Sequence, residues 1–333
     1  MQSEVPETIH SSSSSPSDLS YSDDEQQEDL MNQLEEVKKQ LETNPTDEAS
    51  YAKAIQIYRS LGDVDNLRAI RLQYKQNCPL APEVWLQWIN DEIQLVSSDD
   101  DKESICHLFQ AALKDYYSVD VWTQYLNYVA ANLPSQMEAL SEEAIQSCAA
   151  DCLEGLRVWA VILEWSKTTR DITKTESYFV RMLSYPYESL QVAYEQYTHW
   201  HELLHTPTEK AALSAYEASQ KAFAERSELE MELAASLEVD HITTAFRRLA
   251  DYVAFEKSKQ KTTPTPNRVL CLFGRFAFAF RSLAEFWHAF FAYASESVKL
   301  PKLLLSVSAR ALRHVTGSGP LYEDRLFALE TAG

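Results

Sequence analysis

The sequence predicts an all-α protein: a superhelical α-α solenoid of about seven or eight helix pairs, preceded by a disordered acidic N-terminal tail. Three observations predict it. Glycine and proline are scarce, 6 and 12 of 333 residues, whereas sheets and barrels place them at every turn. Alanine, leucine, glutamate and tyrosine fill the space between, the composition of helices joined by short loops. Large aromatic residues recur at a period near 35 residues, which holds two helices of about 12–15 residues and two turns.

Residues 1–28 read as the tail. They carry Ser11 to Ser15, Pro16 and Asp23-Asp24-Glu25, with almost nothing apolar to offset chain entropy. Ser20 and Ser22 each have an acid three residues on, a spacing that suits an acid-directed kinase; a solubilising tail explains it equally well. From residue 29 the pattern turns helical, with Leu30, Leu34, Val37 and Leu41 at spacings of three and four. Asn44-Pro45-Thr46-Asp47 breaks that helix, and paired helices follow.

The repeat is legible in the first helix of each pair: an aromatic, a second large residue three on, a third position seven on. Trp85, Trp88 and Glu92 fit, as do Trp122, Tyr125 and Val129. Trp159 with Ile162, Tyr194 with Tyr197, Leu249 with Tyr252 and Glu256, and Trp287 with Phe290 continue it; Tyr51 and Tyr322 mark degenerate ends. Starts at 51, 85, 122, 159 and 194 lie 34, 37, 37 and 35 apart, and only the step from 194 to 249, at 55, breaks phase. Thr208 to Ser236 fills that step with one second helix and an extra one. Second helices have their own signature, as in Leu108–Leu113, Tyr178–Leu183, Phe273-Gly274-Arg275-Phe276 and Ser308–Leu312, where a small central residue lets helices approach closely. Lys257 to Pro266 reads as a stiff exposed loop. The expected divisions are 1–28 (tail), 29–205 (N-terminal repeats) and 206–333 (extra helix and further repeats).

Charge excludes some functions. The net charge is −20, so nucleic-acid binding is not the default reading. It is uneven: residues 1–50 hold 13 acids against 2 bases, and residues 247–333 hold 13 bases against 7 acids. The odd set of five cysteines, Cys78, Cys106, Cys148, Cys152 and Cys271, contains no CxxC. With a polar, acidic N-terminus that does not read as a signal peptide, they are expected to be small buried residues in a reducing compartment. Cys148 and Cys152, four apart, are expected on one helix face. No apolar run reaches the ~18 residues of a membrane span.

These residues resemble the HAT (half-a-TPR) repeat, whose first helix reads Trp-x-x-Tyr/Trp-x-x-x-Glu. Pro79 to Ile93, Lys114-Asp115-Tyr116, Arg181 to Pro186 and Asp251 to Glu256 are similar to the N-terminal HAT region of the U4/U6 snRNP recycling factors, the squamous cell carcinoma antigen recognised by T cells family. The resemblance covers roughly residues 35–333. It implies a nuclear, non-catalytic scaffold in pre-mRNA splicing, with no cofactor, that binds splicing or snRNP proteins and contacts RNA indirectly or weakly. It also implies a ubiquitin-specific protease among the partners, and self-association through later repeats. The Trp122, Trp159 and Trp287 units lack the helix-A glutamate. The family continues into further repeats, two RNA-recognition motifs and an Lsm-binding motif, so the chain is expected to be truncated or to have lost them. A 3′-end cleavage factor subunit or a crooked-neck-type scaffold is the alternative within the HAT class.

The anchors of the repeat core are expected to be Trp85, Trp88, Glu92, Trp122, Tyr125, Trp159, Tyr194, Tyr197, Tyr252, Glu256, Trp287 and Phe290. Arg247, Arg248, Lys257, Lys259, Lys261 and Arg268 form a candidate interaction patch, to be weighed against a merely solvated face. His201-Glu202-Leu203-Leu204-His205 is a literal HExxH, the signature of a zinc hydrolase when two histidines at i and i+4 share a helix face. Thr206-Pro207 stops that helix within a turn, and no third ligand stands at a convincing spacing. No nucleophile constellation or glycine-rich phosphate loop is visible.

Overall fold

The structure, a computed structural model, describes residues 17–239, 241–260 and 268–333. Among them it is all-α, with seventeen α-helices and no strand. The chain forms two compact units that divide between Cys78 and Pro79.

The first unit holds α1 (Ser17–Thr43), α2 (Glu48–Leu61) and α3 (Val64–Asn77). The expected stripe buries Leu34, Val37 and Leu41 of α1. Helix α1 begins at Ser17, inside the segment expected to be a tail; residues 1–16 lie outside the described residues. Once a stripe is packed, each further turn needs little extra ordering, and pairs such as Gln33 Nε2 to Asp29 Oδ2 (2.7 Å) support the exposed part. Gly62 ends α2 at φ 66, where its N–H reaches the Arg59 carbonyl. A residue with a Cβ would be strained in that left-handed cap. Tyr51 and Tyr74 stack with ring centroids 4.4 Å apart and join α2 to α3.

In the second unit, first helices are α4 (Pro82–Ile93), α6 (Val119–Asn132), α8 (Gly155–Thr168), α10 (Leu190–Leu204), α13 (Ile242–Gln260), α15 (Ala284–Tyr293) and α17 (Gly319–Ala332). The second helices are α5 (Asp99–Asp115), α7 (Met137–Cys148), α9 (Ile172–Leu183), α11 (Lys210–Ala224), α14 (Arg268–Phe276) and α16 (Pro301–His314). Helix α12 (Ser227–Val239) is the additional one in the long step of the repeat. Apart from α13, which starts seven residues before Leu249, each first helix begins three or four residues before the aromatic that marks its repeat. Local chemistry sets several starts: Ser98 and Asp101 form a capping box on α5, and Ser118 and Asp171 accept the first free N–H groups of α6 and α9. Helix α7 stops at Cys148, so Cys152 lies in the turn before α8 rather than on the same helix face. All five cysteines are buried free thiols.

Most helices pack against those one or two places along the chain, but α16 also lies against α5, far earlier in the sequence. The centre of that contact is Asp115, the last residue of α5, whose carboxylate is 2 % exposed. Oδ2 accepts the Leu80 N–H (3.1 Å) and the Trp85 indole N–H (2.8 Å). Oδ1 accepts from the Arg313 guanidinium, and the Asp115 carbonyl accepts from Arg310 Nε at 3.1 Å.

Trp85 is 0 % exposed and stacks on Trp88 at 5.3 Å. Trp85→Ala is expected to cost about 3–5 kcal/mol by leaving a cavity between stacked helices. Trp85→Phe keeps much of the volume but loses the donor to Asp115, so about 1–3 kcal/mol is expected. Urea unfolding of the three proteins, followed by far-UV circular dichroism, checks the order.

A candidate partner-binding groove

The predicted anchors do not converge on one site; they run along the seams between helices. Trp85, Trp88, Trp122, Tyr125, Trp159, Tyr197, Tyr252, Trp287 and Phe290 are buried. Tyr194 is half-buried and stacks on Tyr216 of α11 at 4.3 Å. Glu92 is half-buried and accepts the Trp88 indole N–H at 3.2 Å. Glu256 is buried and takes both ends of the Arg226 guanidinium, at 2.6 and 3.0 Å.

The HExxH residues do not make a metal site. His201 is buried, with Nε2 donating to Glu176 (2.8 Å) and Nδ1 at 2.8 Å from Thr206 Oγ1, so both ring nitrogens are engaged. His205 is the left-handed cap after α10, at φ 54, and stands exposed. It has left the helix face that i, i+4 spacing assigned to it.

Nor do the predicted basic residues form one open patch. Arg248 pairs with Glu232 (3.1 Å), Lys259 with Glu225 (2.7 Å), and Lys257 sits over the Tyr293 ring at 5.1 Å. Arg268 is buried at 4 % exposure, Arg247 is exposed, and Lys261 lies outside the described residues. The physical reason is the acidic neighbourhood: α11 and α12 present carboxylates beside α13, and opposite charges pair locally.

The structure assembles a different surface. Helix α14 approaches the α5–α6 turn so closely that a Cβ on Gly274 would stand 3.0–3.2 Å from Tyr117. The Tyr117 hydroxyl donates to Asp151 Oδ2 at 2.9 Å. Asp151 also faces Arg275 Nε at 3.4 Å, and Arg275 donates twice to Glu230 at 2.9 Å. Tyr252 donates to the same Glu230 at 2.9 Å. Burial works against the Arg275 charge, but Asp151 and Glu230 outweigh it and hold its pKa well above the ordinary value. Burial also pushes the Tyr117 and Cys271 groups up, so neither ionises near neutral pH.

Beside this polar seam lies a cavity of about 370 Å³, within the range of ligand sites. Leu113 of α5, Trp122 of α6, Leu270 of α14, Phe290 of α15 and Leu303 of α16 supply apolar walls, and Tyr117 and Gly274 also border it. Glu143, Gln146 and Ser147 of α7 and Arg310 of α16 supply polar ones. Arg310 is held by its Nε bond to Asp115 and lies over the Trp287 ring at 5.7 Å, while its Nη2 is buried with no partner. Burial lowers its pKa to about 10, still far above neutrality. His314 stacks on Trp287 at 5.1 Å and lies 3.3 Å from the Tyr116 hydroxyl. Burial, with Arg310, Arg313 and Arg281 nearby, pushes its pKa down to about 3.

Sequence reasoning placed Trp122 and Phe290 in the repeat core and missed Arg310 and Tyr117. The central glycine of α14 was the available signal, since it marks where another chain segment comes close.

The paired-helix array places the chain among helical-repeat proteins, and it belongs to the Suppressor of forked protein (Suf) family, whose model matches residues 32–322. Within that class, it is 26% identical over 309 residues to the mouse (Mus musculus) spliceosome associated factor 3, U4/U6 recycling protein, and 25% identical to the human (Homo sapiens) one. In each case 90% of this chain is covered, and the chain spans 31% of the relative's length. It is also 27% identical over 147 residues to the mRNA 3'-end-processing protein rna14 of Schizosaccharomyces pombe, covering 42% of this chain and 19% of that protein.

One prediction follows from His314. Its folded pKa is about 3, against 6.5 for the free side chain. Between those values the unfolded chain binds the proton and the folded chain does not, so stability falls as pH drops below about 6.5. The share due to His314 is on the order of 2 kcal/mol by pH 5. His314→Phe, which keeps the stack on Trp287, is expected to flatten that part of the curve in urea melts at pH 7, 6 and 5. An unchanged slope would show that His314 is not the group responsible.

Proposed function

We propose that this chain is a non-catalytic helical-repeat scaffold of nuclear RNA processing, acting in the assembly or recycling of the U4/U6 snRNP. The observation that carries the reading is the length of the match: 90% of the chain to U4/U6 recycling proteins, against 42–57% to mRNA 3'-end-processing proteins. The repeat architecture agrees with it, because such arrays act by presenting surface to partners. Engagement of both His201 nitrogens by Thr206 and Glu176 weighs against the hydrolase reading. The match to rna14 favours a second reading, a scaffold for 3′-end processing, which differs in the partners it assembles.

Protein contacts are expected to dominate. With a net charge of −20, the chain by itself is expected to bind U4 or U6 RNA more weakly than about 1 μM at 0.15 M salt. Filter binding with labelled RNA measures this, and tight, salt-resistant binding would contradict the proposed division of labour. Tagged full chain incubated in nuclear extract is expected to recover U4/U6 snRNP proteins, and to retain them after ribonuclease treatment. Recovery of cleavage and polyadenylation factors alone would favour the second reading.

A further inference from the structure

We infer that the groove between α6–α7 and α14–α16 receives a short apolar peptide segment carrying a single carboxylate, contributed by a protein partner. The inference rests on the scaffold reading above and names the chemistry of one of its docking sites.

The walls set the first requirement. Trp122, Leu270, Phe290 and Leu303 come from four helices and line the open cavity of about 370 Å³. An apolar occupant releases water from those walls. Arg310 sets the second. Its Nε is committed to the Asp115 carbonyl at 3.1 Å, which orients the guanidinium. Arg310 borders the cavity, and a carboxylate satisfies a guanidinium better than any neutral acceptor. Arg281 and Arg313 stand, with Arg310, in the neighbourhood of His314, and the buried acid there is Asp115. Asp115 already accepts two N–H groups and Arg313. This end of the groove therefore carries excess positive charge.

Glu143 sets the third requirement. It also borders the cavity, so a run of acids would meet repulsion. One acid among large apolar side chains fits; a polyacidic tract or a phosphate backbone does not. The −20 charge of the whole chain repels a polyanion further.

The test is selection of a random dodecapeptide phage library on the intact chain. The expected pool carries one Asp or Glu flanked by at least two large apolar residues. By fluorescence polarisation with the best synthetic peptide, exchanging its acid for the amide is expected to weaken binding about tenfold, the value of one charge-assisted hydrogen bond. Arg310→Gln in the protein is expected to do the same. Arg310 also braces Asp115, so a second variant guards against misfolding: Ser147→Trp fills the groove from an exposed position on α7. It is expected to abolish peptide binding while leaving the helical signal and melting temperature near wild type. A pool without acids, no enrichment at all, or binding that survives Arg310→Gln and Ser147→Trp would overturn the inference. So would displacement of the peptide by a dodecameric uridine RNA, which would assign the groove to nucleic acid. If the nuclear-extract proteins are still recovered with Ser147→Trp while the peptide is lost, the groove inference holds and those proteins dock elsewhere. If the peptide results hold but no RNA-processing factor is recovered, the scaffold reading fails alone.

Discussion

The second unit depends on the carboxylate of Asp115. A helical-repeat array makes mostly contacts between neighbours, yet this residue joins Leu80 and Trp85 at the start of the unit to Arg310 and Arg313, 195 and 198 residues further on. A carboxylate at this depth is tolerable only because its oxygens meet two N–H groups and a guanidinium. Removing any partner would leave charge uncompensated in an apolar setting. The contact also fixes where α16 lies, and so where Arg310 and Leu303 stand relative to Trp122. The groove exists because this closure exists.

The same logic runs through the polar seam beneath the groove. Asp151, Arg275, Glu230 and Tyr252 come from separate elements and satisfy one another. Hydrogen-bonded networks of this kind hold their members in defined geometry and penalise alternatives that leave one unpaired. Gly274 contributes by absence: without a Cβ, α14 settles against Tyr117, whose hydroxyl then reaches Asp151. Packing and polar pairing here are one constraint. They give the groove a firmly held floor.

Much of this was legible in the residues. The class of fold, the phase of the repeat and the additional helix after residue 205 all follow from aromatic spacing and the scarcity of breakers. The Trp, Tyr and Phe anchors occupy helix seams because a residue three or four positions on shares a helix face. What misled was charge. Arg248, Lys257, Lys259 and Arg268 look like a basic patch when read along the chain. In three dimensions Glu232 and Glu225 stand beside Arg248 and Lys259, Tyr293 lies under Lys257, and Arg268 is inside. The HExxH string misled for a related reason: spacing assumes that the helix continues, and α10 ends at His205 in a left-handed turn.

By itself, then, the sequence determined the helical class, the repeat register and the residues that pack between adjacent helices. Each is a local property, written in which face of a helix is apolar. Tertiary structure alone decided that α16 reaches α5, which arginines are buried, and that Trp122, Phe290 and Arg310 border a common cavity. Those outcomes depend on the rotation accumulated over successive helix pairs, a sum of small packing angles that no local pattern records.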